Sequence, residues 1–211
     1  MRTFSWLMVF VVLVGSIYAE GKEELAVESA KELMEISAKM ITWEKDGSKM
    51  VLIPAGEFIM GSNQRWDDEA PEYIESADDF FIDLYEVTNA DYKKFAAATK
   101  RQNPYHWPGG KIPKNKESHP VTYVNWHDAD NYCKWRGKRL PKEQEWEKAA
   151  RGDEGNVYPW GNVWTTDRSN HPYKGSIGTE PVGSYPNGRS PYGLYDMSGN
   201  VWEWVDSFYL P

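Results

Sequence analysis

The sequence predicts an α+β domain with little regular secondary structure, set behind an apolar N-terminal segment and a polar linker. Three observations predict it. Short apolar or alternating runs, closed by glycine and proline, fill the stretch from Met50 to Val87. Three helical patterns with their own start and stop residues follow, opening near Thr88, Asn125 and Pro141. Beyond Gly152 the chain is rich in Gly, Pro, Asn, Tyr and Trp, the composition of long ordered loops. At 211 residues there is enough chain for one well-buried domain and little for a second.

In Met1–Glu20 (MRTFSWLMVFVVLVGSIYAE), Arg2 precedes an apolar run from Phe4 to Val14, and small residues lead to Ala19. That is the order of an export signal, so residues 1–19 are expected to be a signal peptide or an uncleaved membrane anchor. The uncharged stretch Thr3–Ala19 lies at the lower limit for a spanning helix. Export places the protein in a periplasmic or extracellular setting, with a membrane tether if the segment is retained. Residues 20–49 are Lys/Glu-rich, and Leu25, Leu33, Ile36 and Met40 fall near helical spacing. This predicts one amphipathic helix, either a stalk or a helix packed on the domain edge.

The domain proper is expected over residues 50–211. Val51-Leu52-Ile53 and Phe58-Ile59-Met60 read as strands flanking a Pro54-Ala55-Gly56 turn, and Phe80–Val87 alternates as another strand. Thr88 is placed to cap a helix running to about Thr99, with Asp91 at the capping-box position. Asn125 caps a short helix that Gly137 ends, and Ala129, Tyr132 and Cys133 share one of its faces. The third helix follows Pro141, with Glu143 and Glu145 at its positive start and Arg151-Gly152 at its end.

Composition excludes several functions. The net charge is −8, from 24 Lys+Arg against 32 Asp+Glu, with no basic block. Nucleic-acid binding is therefore not expected, because neutralising phosphates needs clustered cations. Cys133 is the only cysteine, so neither an intrachain disulfide nor an intrachain Cys–Cys metal site is available. His106, His119, His127 and His171 show no ligand spacing and read as loop or surface residues. The 11 Trp and 13 Tyr suit a loop-rich core, and equally a sugar or peptide groove.

In Gly193–Trp204 (GLYDMSGNVWEW), Asp196 and Glu203 are hard oxygen donors flanking a Gly199-Asn200 turn. Calcium takes six to eight such oxygens, including main-chain carbonyls. The other reading is a tight turn whose carboxylates cap backbone amides.

Met50–Ser62 (MVLIPAGEFIMGS), Glu86–Tyr92 (EVTNADY), His119–Trp126 (HPVTYVNW), Arg139-Leu140-Pro141, Glu145-Trp146-Glu147, Tyr158–Asn162 (YPWGN) and Gly193–Trp204 occur in one order. In that order they resemble the formylglycine-generating-enzyme family, also called sulfatase-modifying factors. The resemblance implies a modified C-type-lectin-like fold, with Met50–Ser62 as its opening hairpin. It also implies a structural Ca²⁺ held by the side chains of Asp196 and Glu203 and the backbone oxygens of Gly199 and Val201. A second family calcium site, in the loop after Asn170, is not carried over, because Asn170–Glu180 contains no aspartate.

Catalytic members oxidise a sulfatase cysteine to formylglycine with O₂ and Cu(I) held by two cysteines, a soft pair suited to that ion. Those cysteines lie beyond the GNVWEW motif, near an Arg-Gly-Gly-Ser-Trp segment that is not reached by Pro211. A sister branch forms sulfur–carbon bonds with iron on three histidines and an added helical bundle, neither of which this sequence matches. Lys142 stands where the family has a capping Thr, a loss of about 1 kcal/mol locally. The expectation is an exported, non-catalytic accessory or binding subunit with a protein partner. The alternatives are a copper-dependent oxidase whose cysteine pair is supplied by a missing C-terminal segment, and a lectin-like module using Trp107, Trp160 and Trp164.

Overall fold

A computed structural model describes residues 24–27, 39–64, 67–171 and 178–207. The segment 1–19 lies outside them. Strands β1 (Glu24–Val27), β2 (Met40–Trp43) and β3 (Ser48–Ile53) come first, followed by β4 (Gly56–Met60), β5 (Tyr73–Ala77) and β6 (Phe80–Asp83). Helices α1 (Asn89–Thr99), α2 (Trp126–Arg136) and α3 (Glu143–Arg151) follow. Among the described residues beyond α3, only a short 3₁₀ turn at Pro186–Gly188 interrupts the loops.

The expected helix over residues 20–49 falls largely outside the described residues, at 20–23 and 28–38, and is corrected only at its described ends. Its described parts are strands: β1 pairs parallel with β2, and β2 pairs antiparallel with β3. The reason lies in Met40–Trp43, where alternation wins over the sparse helical spacing. Ile41 and Trp43 point into the core and are fully buried, while Met40 and Thr42 are half-buried on the other face. The domain thus begins before Met50. The opening hairpin is corrected as well. Both strands form, but β3 pairs with β2 and β6, whereas β4 pairs with β5 in a separate two-stranded sheet. Pro54-Ala55 carries the chain from one sheet to the other.

The helix ends form as the sequence predicts. The Thr88 hydroxyl accepts from the Asp91 amide at 3.2 Å and donates to the Asp91 carboxylate at 2.6 Å. Asn125 and Asp128 complete a reciprocal capping box, and Gly137 closes α2 in the left-handed region, φ 75°. At α3 the Lys142 side chain offers no acceptor, and Glu145 replaces the missing cap by accepting from the Lys142 amide at 2.8 Å. Arg139 donates to both Glu145 oxygens, at 2.6 and 2.7 Å. Burial pushes the Glu145 carboxyl up, but the Arg139 and Lys142 hydrogen bonds outweigh that and hold it below the ordinary range.

Two apolar clusters fill the interior. One joins Val51, Ile53 and Phe80 of the sheet to Ala149 and Ala150 of α3 and to Leu194 and Met197 of the late loops. The other packs Tyr92, Phe95 and Ala96 of α1 against Tyr132 of α2 and Trp107. Trp107 is buried there, which removes it from a sugar platform. His119 and His171 lie in loops, as expected, and are buried there.

Buried cations fasten the strands to the helices. Lys138, just past α2, donates to Asp46 at 3.0 Å, Ser48 at 2.6 Å and Asp83 at 2.7 Å. Arg136 lies over the Trp135 ring at 4.5 Å, and its carbonyl accepts from the Trp43 indole at 2.9 Å. Lys148 of α3, fully buried, donates to the carbonyls of Pro54 and Gly56 at 2.8 and 2.9 Å, and so fixes the crossover between sheets.

Lys138→Ala would leave Asp83 without its cation and Asp46 with only Arg136, 3.6 Å away. Chemical denaturation is expected to show a loss of about 3–5 kcal/mol, part of it recovered by adding Asp46→Asn. Glu145→Gln tests the α3 start through pH. A depressed folded-state pKa contributes stability above the ordinary carboxylate pKa and loses it as pH falls through the folded value. The stability gap between wild type and Glu145→Gln is therefore expected at neutral pH and is expected to close as the solution is acidified.

Candidate functional site

The Gly193–Trp204 motif folds as a chain of left-handed turns. Asp196 (φ 57°), Gly199 (φ 102°) and Asn200 (φ 59°) all lie at positive φ. Gly199 is obligatory for a second reason: a Cβ there would lie 2.4 Å from the Asn170 carbonyl oxygen. That close approach lets the Asn200 amide donate to the Asn170 carbonyl at 2.9 Å.

Asn200 is the hub of the site. Its side-chain oxygen accepts from the Asn170 side chain at 3.1 Å and the Glu180 amide at 2.9 Å. Its nitrogen donates to Glu86 at 2.9 Å, across 114 residues of sequence. Glu86, at the end of the loop after β6, is thereby drawn beside the motif. The sequence reading missed it, since a carboxylate at the head of the EVTN segment carries no spacing to the motif. The only sequence trace is that Glu86 lacks a basic residue at helical distance.

Three carboxylates with raised pKa share this neighbourhood. Glu86 is pushed up to about 9 by burial, by Glu203 and by Asp196, against the Asn200 hydrogen bond. Its other oxygen, Oε1, is buried without a hydrogen-bond partner. Glu203 is pushed up to about 7, first by burial. It forms part of the wall of an open groove, so protein surrounds it while solvent still reaches it. Asp196 is raised by burial, against a hydrogen bond from the Gly183 amide at 2.7 Å.

The structure thus brings Asp196 and Glu203 into one electrostatic unit and adds Glu86. It also shows part of the capping alternative, since Asp196 accepts from Gly183 and Glu203 accepts from the Trp146 indole at 3.0 Å. The carbonyls of Gly199 and Val201 accept no hydrogen bond among the described residues. Among those residues no three Cys, His, Asp or Glu side chains meet closely enough to hold a metal by themselves. A cation here would depend on main-chain oxygens as well, a donor set suited to calcium rather than to zinc or copper.

Beside the carboxylates runs an apolar groove of about 200 Å³. Its floor is the core itself, Tyr92, Tyr132, Leu140 and Met197, and Trp202 and Trp204 stand on its rim. Trp202 is fully exposed. The Trp204 indole donates to the Val124 carbonyl at 3.0 Å, and the Trp126 indole donates to the Val205 carbonyl at 2.9 Å. Cys133 lies against this groove from α2, and burial, with Asp83 adding to it, pushes its thiol up to about 12. Elsewhere, Trp160 stacks on Tyr158 with ring centroids 5.3 Å apart, and Trp164 packs on His171 at 4.8 Å, so both rings serve the loop packing.

Comparison with known proteins agrees with this architecture. The chain is 35% identical over 216 residues to the mouse protein named inactive C-alpha-formylglycine-generating enzyme 2, covering 77% of this chain and 70% of that one. It is also 35% identical over 221 residues to mouse formylglycine-generating enzyme, covering 77% of this chain and 59% of the relative's length. PvdO from Pseudomonas aeruginosa superimposes with a TM-score of 0.65 at 31% identity, over 79% of this chain and 73% of its own. The family described as "Sulfatase-modifying factor enzyme 1-like domain" matches residues 37–211. The chain belongs to that formylglycine-generating-enzyme-like family.

Proposed function

We propose that this protein is an exported, non-catalytic member of its family, a calcium-stabilised, protein-binding accessory domain in a periplasmic or membrane-associated assembly. Cys133 carries this reading. It is the only cysteine in the 211 residues, and it sits in a helix with its thiol held protonated by burial. Copper(I) of the formylglycine type requires a pair of thiolates, and a raised pKa disfavours even one. The competing reading, a copper-dependent oxidase, needs a cysteine pair that these residues do not contain. The names of the relatives do not choose between the two readings, because the identity is 35% to both. Export, and the option of a tether through residues 1–19, are supported by Arg2, the apolar run after it and Ala19.

Calcium is proposed at this turn, with Asp196 and Glu203 as side-chain donors and the carbonyls of Gly199 and Val201 completing the set. The two unused carbonyls support that fit, and Glu86 adds negative charge beside it. Bound there, the ion would neutralise carboxylates that otherwise repel one another and would lock the turns that carry Trp202 and Trp204. Its role is structural.

The catalytic alternative is tested by incubating the full chain with Cu(I), oxygen and a cysteine-containing sulfatase peptide. Mass spectrometry is expected to show no aldehyde above the protein-free control. Aldehyde formation that disappears in Cys133→Ser would overturn the non-catalytic reading. Calcium is expected to raise the melting temperature, at about 2–4 °C per kcal/mol for a chain of this size, and Asp196→Asn is expected to abolish most of that rise. Glu86→Gln is expected to act with opposite signs. A carboxyl whose pKa is raised on folding loses stability as pH rises from the ordinary value toward the folded one. At neutral pH without calcium the variant should therefore melt higher than wild type, and with calcium it should gain less. A calcium response unchanged in both variants would remove the ion from this site.

A further inference from the structure

We propose that this chain associates with a second copy of itself, head to tail, by seating the basic loop between α1 and α2 of one copy on the acidic β5 ribbon of the next. The contact goes beyond the accessory role proposed above and needs no calcium.

Charge is unevenly placed along this acidic chain. Residues 92–116 carry seven Lys and Arg and no Asp or Glu, whereas residues 67–79 carry seven Asp and Glu and no Lys or Arg. The two groups do not neutralise each other within the chain. Lys94 and Arg101 pair with Asp91 of α1 and Asp128 of α2. Lys100, Lys111 and Lys114 are exposed and form no ion pair among the described residues, and neither do Glu72, Glu75, Asp78 and Asp79. A cationic surface and an anionic one thus stand open on the same molecule, which is the complementarity that fixes register between partners.

Apolar side chains stand among both sets of charges. Tyr105 is 80% exposed in the loop, with its ring 4.9 Å from that of Tyr123, and Ile74 is 62% exposed on β5 beside the exposed Tyr73. Tyr123 holds a left-handed backbone, φ 58°, a cost that its exposed ring does not recover by burial within the chain. Large apolar side chains inside a charged surround are the make-up of a protein interface, whose centre excludes water while its rim stays polar.

Both surfaces are pre-formed. Lys93 donates across the loop to the Asn103 side chain at 3.1 Å and the Gly110 carbonyl at 2.8 Å, and Trp107 anchors the loop in the α1–α2 cluster. Strand β5 is paired along its length with β4, and the Glu72 amide donates to Asn63 at 3.0 Å. Little ordering remains to oppose association. The carboxylates of β5 keep two such edges from pairing with each other, so the complement is the cationic loop. Net charge does not forbid the contact. At about 0.1 M salt charges are screened beyond about 10 Å, which suppresses repulsion between whole molecules of net −8 and spares groups in contact. Because the two surfaces differ, the contact is heterologous and repeats from copy to copy.

Sedimentation of the full chain tests this. Ion pairs at an exposed rim are weak, so association is read at up to about 1 mM chain. At about 0.1 M salt the weight-average mass is expected to rise continuously with concentration, and to return to that of the monomer at about 1 M salt, where screening acts within about 3 Å. Lys111→Glu with Lys114→Glu, and separately Glu72→Lys with Asp78→Lys, should each stay monomeric. Mixed in equal amounts, the two variants should associate again, since each reversed surface then meets the opposite charge on the other variant. Melting temperatures near that of wild type check that both fold, and Lys111→Gln with Lys114→Gln should weaken association without introducing charge. A chain that is monomeric at every concentration would overturn the proposal. So would association that persists in 1 M salt or that either reversal leaves intact, and so would folded variants that stay apart when mixed.

Discussion

Two buried lysines hold this molecule together. Lys138 collects Asp46, Ser48 and Asp83 from the turn after β2, the start of β3 and the end of β6, and Lys148 takes the carbonyls on either side of the crossover into β4. Each lysine stands on or just beyond a helix, and each partner set lies in or beside strands more than fifty residues away. Such contacts are costly to leave half-made, because a buried ammonium without its acceptors retains the full desolvation penalty. The helices are thus placed on the sheets by a small number of charge-assisted bonds, and the apolar clusters fill the space those bonds define.

That placement matters because the last third of the chain has almost no ladder of its own. Its backbone groups are satisfied by turns and by side chains: Arg151 donates to the carbonyls of Gly61, Gly155 and Asn156, and Asn170 and Asn200 bond each other and the loop at Gly178–Glu180. A loop built this way is rigid only while its anchors are in place. At the Asp196–Glu203 turn those bonds leave Glu86 Oε1 and the carbonyls of Gly199 and Val201 without a partner among the described residues.

The late turns, the groove and its aromatic rim are framework held by long-range hydrogen bonds. Beside the turns lies a concave apolar surface with Trp202 and Trp204 on its rim. Cys133 belongs to the framework as well: held in α2 with its thiol protonated, it packs rather than reacts.

The sequence by itself determined the class of fold, the three helices with their caps, the loop-rich final third and the Asp196 to Glu203 turn. These depend on local rules of capping, spacing and glycine conformation that act within a few residues. Tertiary structure decided the rest. Met40–Trp43 became a strand because β3 offered it a partner, and β3 and β4 parted because β6 and β5 competed for them. Glu86 joined the carboxylates only through Asn200, a bond across 114 positions. Trp107 went to the core and Trp202 to the rim, although the sequence treats both as the same indole. Pairing choice, long-range polar bonds and burial are collective properties of the packed chain, and no local window of residues contains them.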